Sequence, residues 1–174
     1  MRVCIGGLPG SGTTTAAYLL ADRTGLEVVS AGEVFRQMAR EMGVTLAAFG
    51  RMAQKDEEID AGLDRRMLSI ARKKDEVILE GRLIGALCKK ERMPALKIWL
   101  HAPASIRSAR ISGREDVGVE RAVRDMLERE NSERTRYMRY YGIDMDDLSI
   151  YDMIIDSETN APEVIVEMIQ EGMN

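Results

Sequence analysis

Alternation of strand-like and helix-like segments predicts an α/β fold built on a mostly parallel sheet. Two observations carry this reading. Short, β-rich apolar runs recur between longer segments of helical periodicity, and the first run feeds a glycine-rich turn that opens a helix. Val3-Cys4-Ile5 is the first buried strand, ended by Gly6-Gly7. Thr13 to Thr24 suits a helix, with Ala16, Leu19 and Leu20 on one side and Gly25 as its stop. Leu26 to Ser30 reads as the second strand. Val34, Met38 and Met42 recur at i, i+4, i+8 and form a helical stripe. A further helix is expected from Thr45 to about Gln54, and another after Asp56-Glu57-Glu58 with Ile59, Leu63, Met67 and Ile70 inward. Val77-Ile78-Leu79 and Leu96 to Leu100 are too short and β-rich for helices and read as the third and fourth strands. Pro103 starts a helix that should stop near Gly113; a charged, mostly helical segment then runs to about Tyr141. Ile150 to Asp156 is the fifth strand, and Pro162 opens a closing helix. The twelve methionines are expected in the core.

The chain has 174 residues, which fits one domain able to bury most of the surface its unfolded form exposes. Hydrophobic content of 45% and charged content of 31% suit a globular protein and argue against disorder. No apolar run approaches the roughly 20 residues of a membrane span. Met1-Arg2-Val3-Cys4-Ile5 starts a strand rather than a signal peptide, so a cytoplasmic location is expected. Cys4 and Cys88 show no metal-site spacing, and the single histidine, His101, excludes a multi-histidine site. A net charge of −4 argues against a general nucleic-acid binder. The cations are uneven, however. Nineteen are Arg and six are Lys, and nine of the arginines lie between positions 107 and 139 without a lysine among them. Arginine suits forked contacts with phosphate, whereas a solvated ion-pair face is the plainer alternative.

Gly7-Leu8-Pro9-Gly10-Ser11-Gly12-Thr13-Thr14 lies between the first strand and first helix, the context required of GxxxxGK[ST]. The glycines let successive N–H groups converge into an anion-binding nest, and the helix adds its positive N-terminal end. Thr14 can offer its hydroxyl to the magnesium ion of a nucleoside triphosphate. Thr13 stands where the motif has lysine, so the charge normally carried to the β- and γ-phosphates must come from elsewhere.

A second anion site is expected opposite the first. Ser30-Ala31-Gly32-Glu33-Val34-Phe35-Arg36 places a guanidinium near another helix N-terminus. Glu80-Gly81-Arg82 ends the third strand, with Glu80 placed to orient the metal's water shell and Arg82 projecting into the crevice above the sheet. Arg110 and Arg114 are four apart, and Arg129, Glu133 and Arg136 fall at i, i+4, i+7. Either these form ion-pair ladders or several of the arginines close over transferring phosphates. His101 is read as structural or surface, because an anionic phosphate acceptor needs no base.

In order along the chain, Gly7 to Thr15, Ser30 to Arg36, Glu80 to Arg82, Arg110 to Arg114 and Arg129 to Tyr137 resemble the nucleoside monophosphate kinases, and among them the archaeal-type cytidylate kinases. Glu58-Ile59-Asp60, Leu96 to Leu100, Tyr141 to Asp144 and Leu148 to Asp152 extend the likeness over nearly the whole chain. The resemblance implies a three-layer P-loop NTPase fold with a five-stranded parallel sheet and a mobile arginine-rich lid. It implies one domain over 1–174, with acceptor-binding helices at about 31–74 and the lid at about 110–136. The implied reaction is ATP + CMP ⇌ ADP + CDP, with dCMP a second acceptor and Mg2+ as cofactor.

By the same resemblance, Gly7, Leu8, Pro9, Gly10, Ser11, Gly12, Thr13, Thr14 and Thr15 hold the ATP phosphates. Ser30, Gly32, Arg36, Arg82, Arg129, Glu133 and Arg136 face the acceptor. Arg110 and Arg114 are lid arginines that stabilise transfer, Thr13 fills the lysine position, and Thr14 with Glu80, through water, serves the metal. Leu83 stands where bacterial cytidylate kinases carry an acidic residue. The residues alone leave open another nucleoside monophosphate kinase, with AMP or UMP as acceptor, and a P-loop ATPase or switch without an acceptor. Neither a nucleic-acid nor a membrane partner is expected, and the protein is expected to act as a monomer.

Overall fold

The computed structural model describes residues 1–173, apart from the side chain of Ala47. Five parallel strands form one sheet in the order β2-β3-β1-β4-β5: β1 (Arg2–Gly7), β2 (Val28–Ser30), β3 (Val77–Glu80), β4 (Leu96–His101) and β5 (Met153–Asp156). Between them run α1 (Thr13–Thr24), α2 (Ala31–Glu41), α3 (Leu46–Ala53), α4 (Glu57–Lys73), α5 (Ile84–Lys90), α6 (Ala104–Glu115) and α7 (Val119–Tyr141), and α8 (Pro162–Met173) closes the chain.

The pleat of β1 divides the core. Val3 and Ile5 point to one face and pack with Ala16, Ala17 and Leu20 of α1 and Ile165, Val166 and Ile169 of α8. Cys4 points to the other face, against Met67 and Ala71 of α4 and Ile84 and Cys88 of α5. The two thiols meet there at 3.7 Å. Helices cover both faces, as a buried parallel sheet requires, so the architecture has the expected three layers. A separate cluster around the fully buried Phe49 joins α2, α3 and α4 beside the sheet.

Several boundaries move for local reasons. The second strand starts at Val28 rather than Leu26. The fifth starts at Met153 rather than Ile150, because Leu148–Ile150 forms a 3-10 turn capped by Asp147, whose carboxylate accepts from Ser149 N. Gly113 does not stop α6, which continues to Glu115 and ends on a left-handed Asp116. Helix α5 carries no periodic signal, since Ile84 to Cys88 are all buried. The methionine expectation holds only in part. Met38, Met67, Met126 and Met145 are buried, but Met42 and Met138 are exposed, so the stripe of α2 ends in solvent. Leu63 and Ile70 of α4 are half-buried rather than interior.

Candidate active site

Strand register places the site. Parallel pairing sets Ser30 and Ile5 beside Glu80 at the C-terminal end of the sheet, next to the loop that follows β1. That loop curls through Gly10 at φ 82° and Gly12 at φ 91°, left-handed angles that favour glycine and turn the backbone toward a common centre. Ser11 N and Oγ both donate to Leu8 O, at 3.1 and 2.8 Å, which closes the curl. Gly7 has no room for a side chain, because a Cβ there would lie 2.8 Å from Leu100 O. Gly12 caps α1, so the positive end of that helix opens into the loop.

Glu80 is the hub beneath this loop. One carboxylate oxygen accepts from Thr13 Oγ1 at 2.7 Å and lies 3.5 Å from Thr14 Oγ1; the other accepts from Ser30 Oγ at 2.6 Å. Thr13 is therefore turned toward the carboxylate. The pairing of a hydroxyl at Thr14 with a fixed carboxylate offers the hard oxygen donors that suit Mg2+ and its retained waters.

The cluster expected to face the acceptor is built by α7 over α4 and the end of β3. Glu133, buried, meets Arg82 Nε at 2.7 Å and accepts from Arg129 Nε at 2.9 Å. One turn on, Arg136 Nε lies 3.1 Å from the buried Asp60. The Nε atoms of Arg82 and Arg136 and the facing oxygens of Glu133 and Asp60 are buried yet lack an aligned hydrogen-bond partner among the described residues. Burial holds the Asp60 carboxyl up at about 6, against the pull of Arg136. Asp64, one turn along α4, is likewise raised to about 6 by burial, although Tyr141 donates a hydrogen bond to it. A cleft of about 370 Å³ opens beside Arg136, lined also by Gln54, Asn131, Ser132 and Thr135. Arg36 is exposed in the middle of α2 and makes no ion pair among the described residues. A Cβ at Gly32 would lie 3.5 Å from Ser30 Oγ and 3.6 Å from Arg36 Nη1, so all three share the floor between loop and acceptor side.

Two expected site residues stand apart from this group. Arg110 bends back to the outer flank of the phosphate loop, where it donates to Gly10 O at 3.3 Å, Ser157 Oγ at 3.1 Å and Ser157 O at 2.5 Å. Arg114, near the end of α6, is largely exposed and, among the described residues, pairs only with its neighbour Glu115. The 110–136 segment is helical as expected and forms a hairpin; Ser112 accepts from Val117 N at 3.2 Å and donates to Val117 O at 2.6 Å to lock its turn. His101 is exposed, and its carbonyl accepts from Ser157 N. Sequence reasoning missed Arg107, Glu130 and Ser157 at the loop's outer flank, and assigned no role to Asp60, Asp64 or Tyr141. Nothing in the spacing of these residues marks them; their contacts span helices distant in the chain.

A parallel sheet of this order, with a glycine-rich phosphate loop after its central strand and arginines converging from several helices, defines the class of P-loop kinases. Solved structures agree on the fold. A protein of Eubacterium ventriosum superimposes with a TM-score of 0.75 at 18% identity, covering 99% of this chain and 97% of that one. Shikimate kinase from Aquifex aeolicus gives 0.66 at 14% identity, covering 99% and 96%. Sequence narrows the class further. The model of the cytidylate kinase-like family matches residues 2–159. A cytidylate kinase of Methanococcoides burtonii is 46% identical, covering 100% of this chain and 97% of its own length. One from Methanocaldococcus jannaschii is 45% identical, covering 100% and 98%. The chain belongs to the cytidylate kinase-like family.

Proposed function

We propose that the protein is a cytidylate kinase that transfers the γ-phosphoryl group of ATP to CMP, and to dCMP, giving ADP and the cytidine diphosphate. The observation that carries this reading is a phosphate loop joined through Glu80 to Ser30, beside a carboxylate-steadied cluster of arginines, an arrangement suited to two phosphates. The loop from Gly7 to Thr15 would cradle the donor phosphates with its backbone N–H groups and the end of α1. Thr14, with Glu80 acting through water, would hold Mg2+, which supplies charge neutralisation between the phosphates. The acceptor phosphate would sit among Arg36, Arg82 and Arg136, over Ser30 and Gly32, with Arg129 and Glu133 toward the sugar.

An oxygen of the CMP phosphate is already anionic. It attacks the γ-phosphorus in line, the bond to the ADP oxygen breaks, and no general base is needed. Positioning and electrostatics supply the catalysis. Arg114 and Arg110 belong to the hairpin that would close as a lid over the acceptor helices at about 31–74 and exclude water. We assign the activity to a cytoplasmic monomer.

The test is ADP release from Mg-ATP with CMP, dCMP, UMP, AMP and GMP supplied separately and a control without acceptor. Acceleration confined to CMP and dCMP is expected. Acceleration by AMP or UMP instead would move the assignment to another monophosphate kinase, and hydrolysis indifferent to all five would replace it with an ATPase. Within the same assay, Arg36→Ala should raise KM for CMP about tenfold or more, in line with roughly 1.5–3 kcal/mol for a charge-assisted contact.

A further inference from the structure

A buried side chain outside the Glu80 hub also links the phosphate loop to α7. Arg107, in the first turns of α6, is 5% exposed, and Glu130 of α7, its partner, is also 5% exposed. The guanidinium spends its donors on both sides of the molecule's centre. Nε donates to Ala102 O at 3.0 Å, just past β4, and Nη1 donates to Pro9 O at 3.1 Å, inside the phosphate loop. Nη1 also meets Glu130 Oε1 and approaches Met126 Sδ at 3.3 Å. The backbone takes part as well. A Cβ on Gly10 would lie 2.5 Å from Arg107 O, so the loop rests directly on α6 at this residue.

Glu130 and Glu133 are three residues apart on α7, a rise of about 4.5 Å, and both are buried. Glu133 holds Arg82 and Arg129 on the acceptor side. A shift of α7 that accommodates an acceptor phosphate therefore moves Glu130 with it. Because the Arg107 head is enclosed and donates to a loop carbonyl, that motion reaches Pro9 and Gly10. Arg107 contributes no free charge to the phosphates, since Glu130 neutralises it. Its part is mechanical.

We infer that Arg107, braced by Glu130, is a positioning residue that couples occupancy of the acceptor site to the shape of the phosphate loop, so that acceptor and donor bind with positive cooperativity. This rests on the kinase reading above. Linkage requires the effect to be reciprocal: CMP tightens the donor and the donor tightens CMP by one factor.

The experiment measures the Kd of a non-hydrolysable Mg-ATP analogue with and without saturating CMP, for the wild type, Glu130→Gln and Arg107→Lys, alongside steady-state kinetics and Tm. Glu130→Gln keeps the shape and an acceptor oxygen while removing the charge. Arg107→Lys keeps the charge but loses the fork that reaches both carbonyls. The expected result is a several-fold tightening by CMP in the wild type that falls toward one in both variants. Their kcat should drop about tenfold and KM for CMP at saturating Mg-ATP should rise by the several-fold factor lost, while the Kd of CMP without donor stays within twofold. A folded variant, judged by its circular dichroism and a cooperative melt, that retains the wild-type tightening and kcat would overturn the inference. So would a wild type that turns over CMP yet binds the analogue equally with and without it. A wild type that fails to phosphorylate CMP at all would instead overturn the kinase reading, so the two failures are distinguishable.

Discussion

Thr13 shows how one residue changes role when its usual charge is absent. A lysine at that position would carry charge to the phosphates; the threonine instead donates at 2.7 Å to Glu80, which Ser30 holds from the other side at 2.6 Å. The carboxylate is thereby aimed at the place beside Thr14. Thr13→Val keeps the shape and removes the donor. It should lower kcat/KM for Mg-ATP by one to two orders of magnitude, matching roughly 1.5–3 kcal/mol for a hydrogen bond to a charged group, in steady-state assays across a magnesium titration. Asp64 gives a pH signature. Burial raises its carboxyl from 3.8 to about 6. Between those values the folded state binds more protons than the unfolded one, so this group's stabilisation is greatest below about pH 4 and is lost as pH rises to about 6. The wild type should lose roughly 2–3 kcal/mol relative to Asp64→Asn over that window, read from denaturant melts at stepped pH. Glu80 and Thr13 could be proposed as site residues from the sequence because a strand end and a loop motif mark them. Asp64 could not, because its neighbour Tyr141 lies 77 residues away.

Among the elements, the α6–α7 hairpin is the proposed lid. Its charged surface and two helical stretches were readable, but not that Gly113 stays helical and that the chain reverses only at the left-handed Asp116. The reversal leaves Arg114 near the tip, paired with Glu115 and largely exposed. Arg114→Ala should therefore depress kcat at least tenfold with KM for CMP within about twofold, the pattern of a contact made only when the hairpin closes; an unchanged kcat would remove Arg114 from the transfer step. Helix α5 escaped notice because all of Ile84, Gly85, Ala86, Leu87 and Cys88 are interior, which erases the polar–apolar alternation that reveals a surface helix. Gly85 is required there by its neighbour: a Cβ would stand 2.8 Å from the Tyr151 ring. Gly85→Ala should lower stability by roughly 1–3 kcal/mol in thermal denaturation through overpacking.

For the molecule as a whole, the sheet core and the acceptor helices pack as distinct clusters. The first is built on β1, α1 and α8, the second on Phe49 among α2, α3 and α4. Phe49→Ala should cost about 3–5 kcal/mol and also raise KM for CMP while leaving KM for ATP near its wild-type value, because the cavity opens beneath the acceptor side only. The sequence by itself determined the α/β class, five strands and the phosphate loop, and it named the arginines proposed to meet the substrates. These are local properties: apolar periodicity chooses helix or strand, and glycine alone relieves the left-handed turns at positions 10 and 12. Only the tertiary structure decided which carboxylate meets which cation. Ser30 finds Glu80 across 50 residues through strand register, and Arg107 finds Pro9 across 98 through the docking of α6 on the loop. Such partners are chosen by sheet register and helix packing, which bring together side chains whose separation along the chain carries no trace of the contact.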